Sequence, residues 1–249
     1  MKIYAINLAS QTEKKNYIIN ECKKLNLDID IFDGVYGAEL SEEYLKSNVL
    51  DYPNCYLTRG EIGCALSHIK IYEDIIKNNL PYAMILEDDA VLSSQLPNFI
   101  ADFEKFNTKE GIFLLIDDFK YIVNKKIKIG SFDIYPVESA TTTTGYIITL
   151  EAAKSMVKFL YPIRYEADMF KIFKMCTGTK IYATVPHLLS SNDKDKSNSS
   201  IEDDRKLLVE KRKTYRNNLF KNYEKRKRFK RFLWRIFIKP KQKIQVYKS

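Results

Sequence analysis

The sequence predicts a single α/β domain over residues 1–204, followed by a basic helical tail over residues 205–249. Apolar runs of strand length alternate with helical patterns through the first of these segments, as in α/β folds. The charge divides at the same boundary. Residues 205–249 contain 18 Lys and Arg side chains and two acids, a net charge of +16, whereas the whole chain carries +9. The predicted domain is therefore mildly acidic, at −7, and only the tail is basic.

A strand, a helix and a second strand are predicted to open the chain. The run KIYAINL (2–8) has strand length, and the apolar residues of 10–26 fit one helical face, with Ser10 as a candidate N-cap. The segment DIDIF (28–32) alternates as a strand does, and a turn-forming Asp-Gly pair ends it. This order of elements is typical of a β-α-β unit.

The best-defined helix is predicted over residues 57–79. Thr58 and Glu61 fit a capping box, and apolar residues recur on one helical face after it. Pro81 ends the connection, and YAMIL (82–86) is a continuous apolar run. Such runs are typical of a central strand that is covered on both faces.

The rest of the predicted domain continues this alternation without an internal repeat. Strands are predicted at 111–116, 132–135, 145–150 and 180–186, helices at 151–160 and 166–176, and a polar loop at 190–200.

Three consecutive acids, Glu87, Asp88 and Asp89, directly follow the predicted central strand. Adjacent carboxylates repel one another and are costly to bury. In α/β sheets, ligands bind beyond the carboxyl ends of strands, and a divalent cation there would offset the repulsion. Because carboxylate oxygens prefer hard ions, the triplet predicts a Mg²⁺ or Mn²⁺ site. A solvated acidic turn is the alternative interpretation.

A soft-metal site is not expected. The chain has two histidines, His68 and His187, and its four cysteines show neither a CxxC motif nor metal-ligand spacing. The cysteines are predicted to be reduced and mostly buried.

The N-terminal apolar run is too short for a signal peptide, and no segment approaches the roughly 20 apolar residues of a membrane span. We therefore expect a cytoplasmic protein in a reducing compartment.

Two longer motifs resemble a known enzyme family. LTRGEIGCALSH (57–68) and PYAMILEDDAVL (81–92) are similar to segments of glycosyltransferase family 25. This family contains bacterial lipooligosaccharide glycosyltransferases, many of them galactosyltransferases, and is related to the collagen galactosyltransferases. Four further segments resemble the family in the same order: INLASQTEKK, TGYIITLEAAKSM, YEADMF and SSIEDDR.

The resemblance implies a GT-A fold, a UDP-sugar donor and an inverting transfer, typically one that forms a β-linked galactose. Asp89, with Asp88, would hold the Mn²⁺ or Mg²⁺ that bridges the UDP phosphates, and Glu87 or Asp88 would hold the ribose or a metal-bound water. The implied acceptor is a lipooligosaccharide, another glycan or a lipid-linked oligosaccharide. A donor that carries glucose or an N-acetylhexosamine is the alternative.

The resemblance also implies a set of residues in contact with the donor: Asn7, Leu8, His68, Glu87, Asp88, Thr144, Gly145 and Tyr146. A satisfied structural histidine is an equal alternative for His68, and ordinary strand packing is the alternative for Gly145 and Tyr146.

This chain departs from the family in the loop after its first strand. Relatives often have arginines where this chain has Glu13, Lys14 and Lys15. Lysine can meet a phosphate as a point charge but lacks the bidentate fork of arginine. His187 follows a predicted strand end, where some GT-A enzymes bind the metal, but the resemblance does not require it as a ligand.

Asp168 matches the family's single aspartate before a helix, and it is the candidate base. An inverting transfer needs a base to deprotonate the acceptor hydroxyl. Relatives often have His-Pro-Val before this aspartate, whereas this chain has Tyr-Glu-Ala. A helix N-cap or an ion pair with Arg164 is the alternative role. Asp117 and Asp118, after the strand predicted at 111–116, are the reserve candidates.

Residues 225–239 predict an amphipathic helix that lies in a membrane interface. Lys and Arg surround an apolar stripe at helical spacing, which consists of Phe229, Phe232, Leu233, Ile236 and Phe237. Basic residues around an apolar face are attracted to anionic lipid. We therefore expect peripheral association with the inner face of the cytoplasmic membrane. Docking of the helix on the protein's own domain is the alternative.

The basic tail also suggests a nucleic-acid-binding protein, which is a different functional class. Such a protein is expected to have basic and aromatic surfaces on its domain, whereas residues 1–204 carry a net charge of −7. The predicted partners therefore do not include nucleic acid.

Overall fold

The computed structural model describes residues 1–106, 110–193, 202–224 and 232–248. Within these ranges the chain forms twelve strands and seven α-helices. The strands are β1 (Lys2–Asn7), β2 (Asp30–Asp33), β3 (Tyr82–Glu87), β4 (Ala90–Leu92), β5 (Ile112–Leu114), β6 (Asp118–Ile122), β7 (Ile127–Ile129), β8 (Phe132–Ala140), β9 (Gly145–Thr149), β10 (Ile181–Val185), β11 (Leu189–Ser191) and β12 (Ile244–Lys248). The helices are α1 (Thr12–Lys24), α2 (Glu42–Asn48), α3 (Arg59–Lys77), α4 (Leu96–Lys105), α5 (Leu150–Leu160), α6 (Phe170–Thr177) and α7 (Glu202–Glu224).

Ten of these strands form one mixed sheet. Their order is β12-β6-β8-β10-β5-β9-β3-β1-β2, with β7 paired to β8, whereas β4 and β11 form a separate two-stranded sheet. β1 is parallel to β2 and β3, β5 is parallel to β10, and β9 is antiparallel to its neighbours β3 and β5. β1, β3, β5 and β10 therefore run in the same direction and end at one edge of the sheet. The predicted α/β, Rossmann-like fold is confirmed.

The central strand β3 is buried on both faces, as its continuous apolar run predicts. Residues 83–86 are fully buried. Ala83 and Ile85 belong to a core that contains residues of α3, α5 and α6, whereas Met84 and Leu86 belong to a second core with residues of α1 and α4. Charged residues cannot be placed within such a strand without a large free-energy cost, so they can only follow it.

The predicted capping box fixes the start of α3. Thr58 Oγ1 accepts a hydrogen bond from the Glu61 backbone N–H at 3.2 Å, and the Thr58 N–H donates to Glu61 Oε2 at 2.9 Å. One turn later, the backbone of α3 approaches another segment closely, because a Cβ at Gly63 would lie only 2.4 Å from the Val35 carbonyl oxygen. These contacts fix α3 over the sheet.

The C-terminal segment contacts the domain through α7. Arg212 is only 5% exposed, and its guanidinium lies 2.7 Å from Glu61 Oε2 and 3.2 Å from Glu166 Oε1. Arg216 pairs with the same Glu166 oxygen at 2.9 Å. Tyr215 donates to Asp51 at 2.6 Å. α7 therefore ties the start of α3 to the segment before α6.

The C-terminal segment also contributes a strand that the sequence analysis did not predict. β12 pairs antiparallel with β6 and extends the large sheet, so the described part of the tail is not wholly helical. Of the predicted amphipathic helix, residues 225–231 lie outside the described residues, and Trp234–Ile238 form a π-helical turn. A domain boundary at residue 204 stays a prediction.

Among the helices of the described residues, none combines the length and the apolar character needed to cross a membrane.

We expect Arg212→Met to lower the free energy of unfolding by about 3–5 kcal/mol, because it leaves two buried carboxylates without this charge partner. Urea unfolding of the full chain measures the change. Lys213→Met is the matched control, since the pair of Lys213 with Glu210 is exposed, at 57% and 81%, and should contribute within about 1 kcal/mol. Equal losses in the two variants would contradict a stabilising role for the buried pair.

Candidate functional site

Polar side chains gather at the edge of the sheet where β1 and β3 end and β9 begins. Asn7 is the last residue of β1, Glu87 is the last residue of β3, and Thr144 immediately precedes β9. The Glu87 backbone N–H donates to the Thr144 carbonyl oxygen at 3.0 Å. This is the edge at which α/β sheets bind ligands, and the three strands bring together residues that are far apart in the chain.

Asp88 is held by Asn7. The Asn7 side-chain amide is buried and donates to Asp88 Oδ2 at 2.7 Å and to the Gln11 carbonyl oxygen at 3.0 Å. Burial raises the pKa of Asp88, while the hydrogen bond from Asn7 and the positive charge of Lys14 act in the opposite direction. Lys14, on α1, is thus near enough to Asp88 to affect its pKa.

Asp89 is held by the end of β11 and the residue that follows it. Ser191 Oγ donates to its Oδ2 at 2.5 Å, and the Asn192 N–H donates to its backbone carbonyl at 3.0 Å. Burial raises the pKa of Asp89 to about 6, and the negative charge of Glu87 adds to this shift. Its other oxygen, Oδ1, is buried and has no hydrogen-bond partner among the described residues. A buried carboxylate oxygen that lacks a hydrogen-bond partner is a suitable ligand for a cation.

Asp88 and Asp89 together offer the oxygen donors that Mg²⁺ and Mn²⁺ prefer. The residues at this edge therefore fit the hard divalent cation that the resemblance implies.

Glu87 lies beside a buried histidine. Thr143 Oγ1 donates to Glu87 Oε1 at 2.5 Å, and His68 Nε2 lies 3.7 Å from the same oxygen. His68 is 2% exposed, and its Nδ1 lies 2.8 Å from Tyr146 Oη, which is in turn 2.6 Å from Tyr72 Oη. The two tyrosines fix the ring of His68 against Glu87.

A third potential metal ligand joins this pair. Cys64 lies one helical turn before His68 on α3, and ligand atoms of Cys64, His68 and Glu87 all lie within 4.8 Å of one another. Because the chain has no cysteine pair with metal-ligand spacing, this cluster was not predicted from its sequence.

Gly145 and Tyr146 are buried rather than exposed at this edge of the sheet. Tyr146 is fully buried, and a Cβ at Gly145 would lie 2.0 Å from Leu189 Cδ1. Close packing therefore accounts for the glycine, as the alternative interpretation stated, and direct contact of these two residues with a donor stays a prediction.

Leu8 is half-buried at the start of the loop after β1, where its carbonyl oxygen accepts from the Gln11 N–H at 2.7 Å.

Asp168 lies in the turn before α6, in a segment that is anchored on two sides. Glu166 pairs with Arg212 and Arg216 of α7, and Phe170 packs edge-on against Tyr146, with ring centroids 6.1 Å apart. The segment therefore contacts the buried Tyr146 of β9.

Arg164 and the start of α6, which the two alternative roles of Asp168 involve, have the following contacts. Arg164 donates to the carbonyl oxygens of Pro162 and Tyr161, at 3.1 and 3.3 Å, and the N-cap position of α6 is Met169.

The other candidates lie farther along the sheet. Asp117 follows the end of β5, and Asp118 begins β6 at a position paired with Lys248 of β12. His187 Nδ1 lies 2.9 Å from Tyr247 Oη, also on β12. The structure thus associates His187 with the C-terminal strand.

Two residues that orient the acids were not predicted. Thr143 holds Glu87, and Ser191 holds Asp89. Ser191 reaches the site because β11 pairs with β4, which sets it opposite Ala90. A run of four threonines directly before a predicted strand was a usable signal for Thr143, but the pairing of two three-residue strands leaves no pattern in the sequence.

Comparison with known proteins identifies the family. Residues 1–171 match the family model of glycosyltransferase family 25, described as LPS biosynthesis protein. The chain is 30% identical over 173 residues to a glycosyltransferase 25 family member of Aedes aegypti, covering 63% of this chain and 28% of that protein. It is 26% identical over 261 residues to lipooligosaccharide biosynthesis protein lic2B of Haemophilus influenzae, covering 94% of this chain and 96% of that protein.

An animal relative extends the comparison. The chain is 26% identical over 176 residues to procollagen galactosyltransferase 1-A of Xenopus laevis, covering 63% of this chain and 28% of that protein. The match to the mosquito and frog proteins thus spans less than a third of their length. The family model nevertheless covers well over half of the present sequence, and on that ground the chain belongs to glycosyltransferase family 25.

Proposed function

We propose that this chain is a metal-dependent, inverting glycosyltransferase that moves galactose from UDP-galactose to a lipooligosaccharide or another glycan, forming a β-linkage. The observation that carries the proposal is Asp89, whose buried Oδ1 has no hydrogen-bond partner among the described residues at the ligand-binding edge of the sheet. The name of the Haemophilus relative, which matches almost the whole chain, supports the acceptor class. The name of the frog relative supports galactose.

Asp88 and Asp89 would hold Mn²⁺ or Mg²⁺. When bound, the cation supplies positive charge where the diphosphate leaving group of the donor becomes more negative. Asn7 and Ser191 each donate to one oxygen of these carboxylates. They fix the direction of the remaining oxygens, which gives a rigid site. Lys14 adds a point charge on the side of α1, where the donor phosphates would lie.

The donor would lie along the same edge, between the loop after β1 and the start of β9. Glu87 would accept a hydrogen bond from a ribose hydroxyl. Asn7, Leu8 and Thr144 would lie next to the donor at this edge. His68, Gly145 and Tyr146 would support it from behind. A donor with glucose or N-acetylhexosamine fits the same arrangement, so transfer from a panel of UDP-sugars with Mn²⁺ is the experiment that assigns the hexose.

Asp168 would act as the base that takes the proton of the acceptor hydroxyl. The ion pairs of Glu166 with α7 and the packing of Phe170 on Tyr146 hold its segment against the domain near β9. Loss of that proton makes the acceptor oxygen a stronger nucleophile toward the anomeric carbon as the bond to UDP breaks.

We expect Asp89→Asn to abolish transfer and Mn²⁺-dependent UDP binding without loss of stability. Burial and the charge of Glu87 already disfavour the ionised form of Asp89. Removal of the Asp89 charge should therefore leave the melting temperature unchanged or increase it. Calorimetry with UDP, with and without Mn²⁺, measures the binding.

Asp28→Asn, at an exposed position before β2, is the matched control and should behave as the unmodified chain. Unchanged Mn²⁺-dependent UDP affinity in Asp89→Asn would exclude Asp89 as a ligand.

We expect Asp168→Asn to lower turnover about 10²–10⁴-fold, the usual contribution of a general base, while UDP and Mn²⁺ affinities stay the same. Steady-state rates and binding measurements on the same preparations separate the two effects. Asp117→Asn and Asp118→Asn are the matched controls and should stay within a few-fold of the unmodified chain. A larger loss in either control than in Asp168→Asn would transfer the role of base to that residue.

We further propose that the segment 232–248 touches an anionic membrane surface. Phe232 and Phe237 are 59% and 60% exposed, and Leu233, Ile236 and Ile238 are exposed beside them. The segment contains five Lys and Arg residues and no acid. An exposed apolar group on a basic segment fits the boundary between lipid headgroups and acyl chains. A lipid-linked acceptor would lie at the same surface.

We expect the double variant Phe232→Glu with Phe237→Glu to bind anionic liposomes at least about tenfold more weakly, at low and at high salt, because it removes the apolar contribution. Salt alone should weaken binding of the unmodified chain in part, since it screens only the charges. Liposome co-sedimentation measures both effects. Val209→Glu, at an exposed apolar position on α7, is the control. Equal binding by the double variant and the control would refute the membrane contact.

A further inference from the structure

The cluster of Cys64, His68 and Glu87 combines a sulfur, a nitrogen and an oxygen donor. Two of these residues are one turn apart on the same face of α3, and the third ends β3. Their ligand atoms all lie within 4.8 Å of one another, and the distance from His68 Nε2 to Glu87 Oε1 is 3.7 Å. In a tetrahedral zinc site, with bonds of about 2.0–2.3 Å, ligand atoms are separated by about 3.3–3.8 Å. Small side-chain movements therefore suffice to bring the three atoms around one ion.

His68 is oriented as a metal-binding histidine is oriented. Its Nδ1 lies 2.8 Å from Tyr146 Oη, and Tyr146 Oη lies 2.6 Å from Tyr72 Oη. In the tautomer with the proton on Nδ1, His68 donates to Tyr146, Tyr146 donates to Tyr72, and the lone pair of Nε2 faces Glu87. Metal-bound histidines commonly use their second nitrogen in this way.

The second nitrogen of His68 is an independent indication of a ligand. Nε2 is buried, in a side chain that is 2% exposed, and has no hydrogen-bond partner among the described residues. Buried polar atoms rarely remain without a partner in native proteins. Cys64 and Glu87 are only half-buried, so the cluster is partly open to solvent.

We propose that Cys64, His68 and Glu87 bind Zn²⁺, at a site distinct from the hard-ion site of Asp88 and Asp89. Thiolate and imidazole ligands favour Zn²⁺ over Mg²⁺ or Mn²⁺, and three protein ligands leave a fourth position for water or an exogenous ligand. Thr143, which donates to Glu87 at 2.5 Å, orients the carboxylate from outside the cluster. The cluster shares Glu87 and His68 with the proposed donor site, but zinc binding itself does not require sugar transfer.

Titration with Co²⁺ tests the site on the full chain, after treatment with a chelator and with the thiols kept reduced. We expect one Co²⁺ per chain to produce a thiolate-to-cobalt charge-transfer band, together with visible bands of four-coordinate cobalt, and Zn²⁺ to displace both. Cys64→Ser should abolish the charge-transfer band, and it should weaken Zn²⁺ binding at least about tenfold. His68→Gln should have the same effect on affinity, and circular dichroism checks that each variant is folded.

Matched controls exist for both ligand types. Cys176→Ser and His187→Gln change the same residue types elsewhere in the domain and should retain the cobalt bands. Asp89→Asn should also retain them, although it should lose Mn²⁺-dependent UDP binding.

Two results would overturn the site: no charge-transfer band in the unmodified chain, or an undiminished band in Cys64→Ser. If Asp89→Asn removed the cobalt bands, the two metal sites would not be distinct. Absence of glycosyl transfer with intact cobalt bands would refute only the proposed function.

Discussion

The burial of β3 on both faces is the constraint on which the candidate site depends. Its residues 83–86 have no exposure to solvent, so the acids that follow can lie only beyond the last buried residue. The parallel neighbour β1 ends at the same edge, and the antiparallel neighbour β9 begins there. Sheet pairing thus supplies Asn7 and Thr144 to the acids without any long loop.

The site is built at the expense of local stability. Asp89 lies in a largely buried position next to two other carboxylates. Burial and the negative charges of these neighbours both raise its pKa, which favours the neutral form. The buried carboxylates at the start of α3 and before α6 show the opposite design, because Arg212 and Arg216 neutralise Glu61 and Glu166. Such compensated acids stabilise the fold, whereas a cluster of mutually repelling acids marks a candidate binding site.

Local signals in the sequence predicted the elements that local physics determines. The apolar run of β3 and the capping box of Thr58 and Glu61 both depend on neighbours in the chain, and both are present. The acids at 87–89 were also placed correctly, because a strand of this kind excludes charge. The α/β architecture followed from the order of such elements.

The contacts that complete the site could not be predicted, because they join distant parts of the chain. Ser191 meets Asp89 through the pairing of two three-residue strands, and Arg212 meets Glu61 across 151 residues. Cys64 and His68 are separated by a single helical turn, but the pair indicates a metal site only because Glu87 lies beside it in the fold. The hydrogen bond of the buried Tyr146 with His68 likewise depends on packing against α3.

The pairing of β12 with β6 has a consequence for biosynthesis. Tyr121 and Gln245, which face each other across these strands, are 124 residues apart. While the ribosome makes the intervening residues, the outer side of β6 presents backbone donors and acceptors that, among the described strands, only β12 covers. Uncovered strand edges readily pair with other chains. The nascent domain is therefore most exposed to aggregation during that interval, and arrival of the last strand ends it.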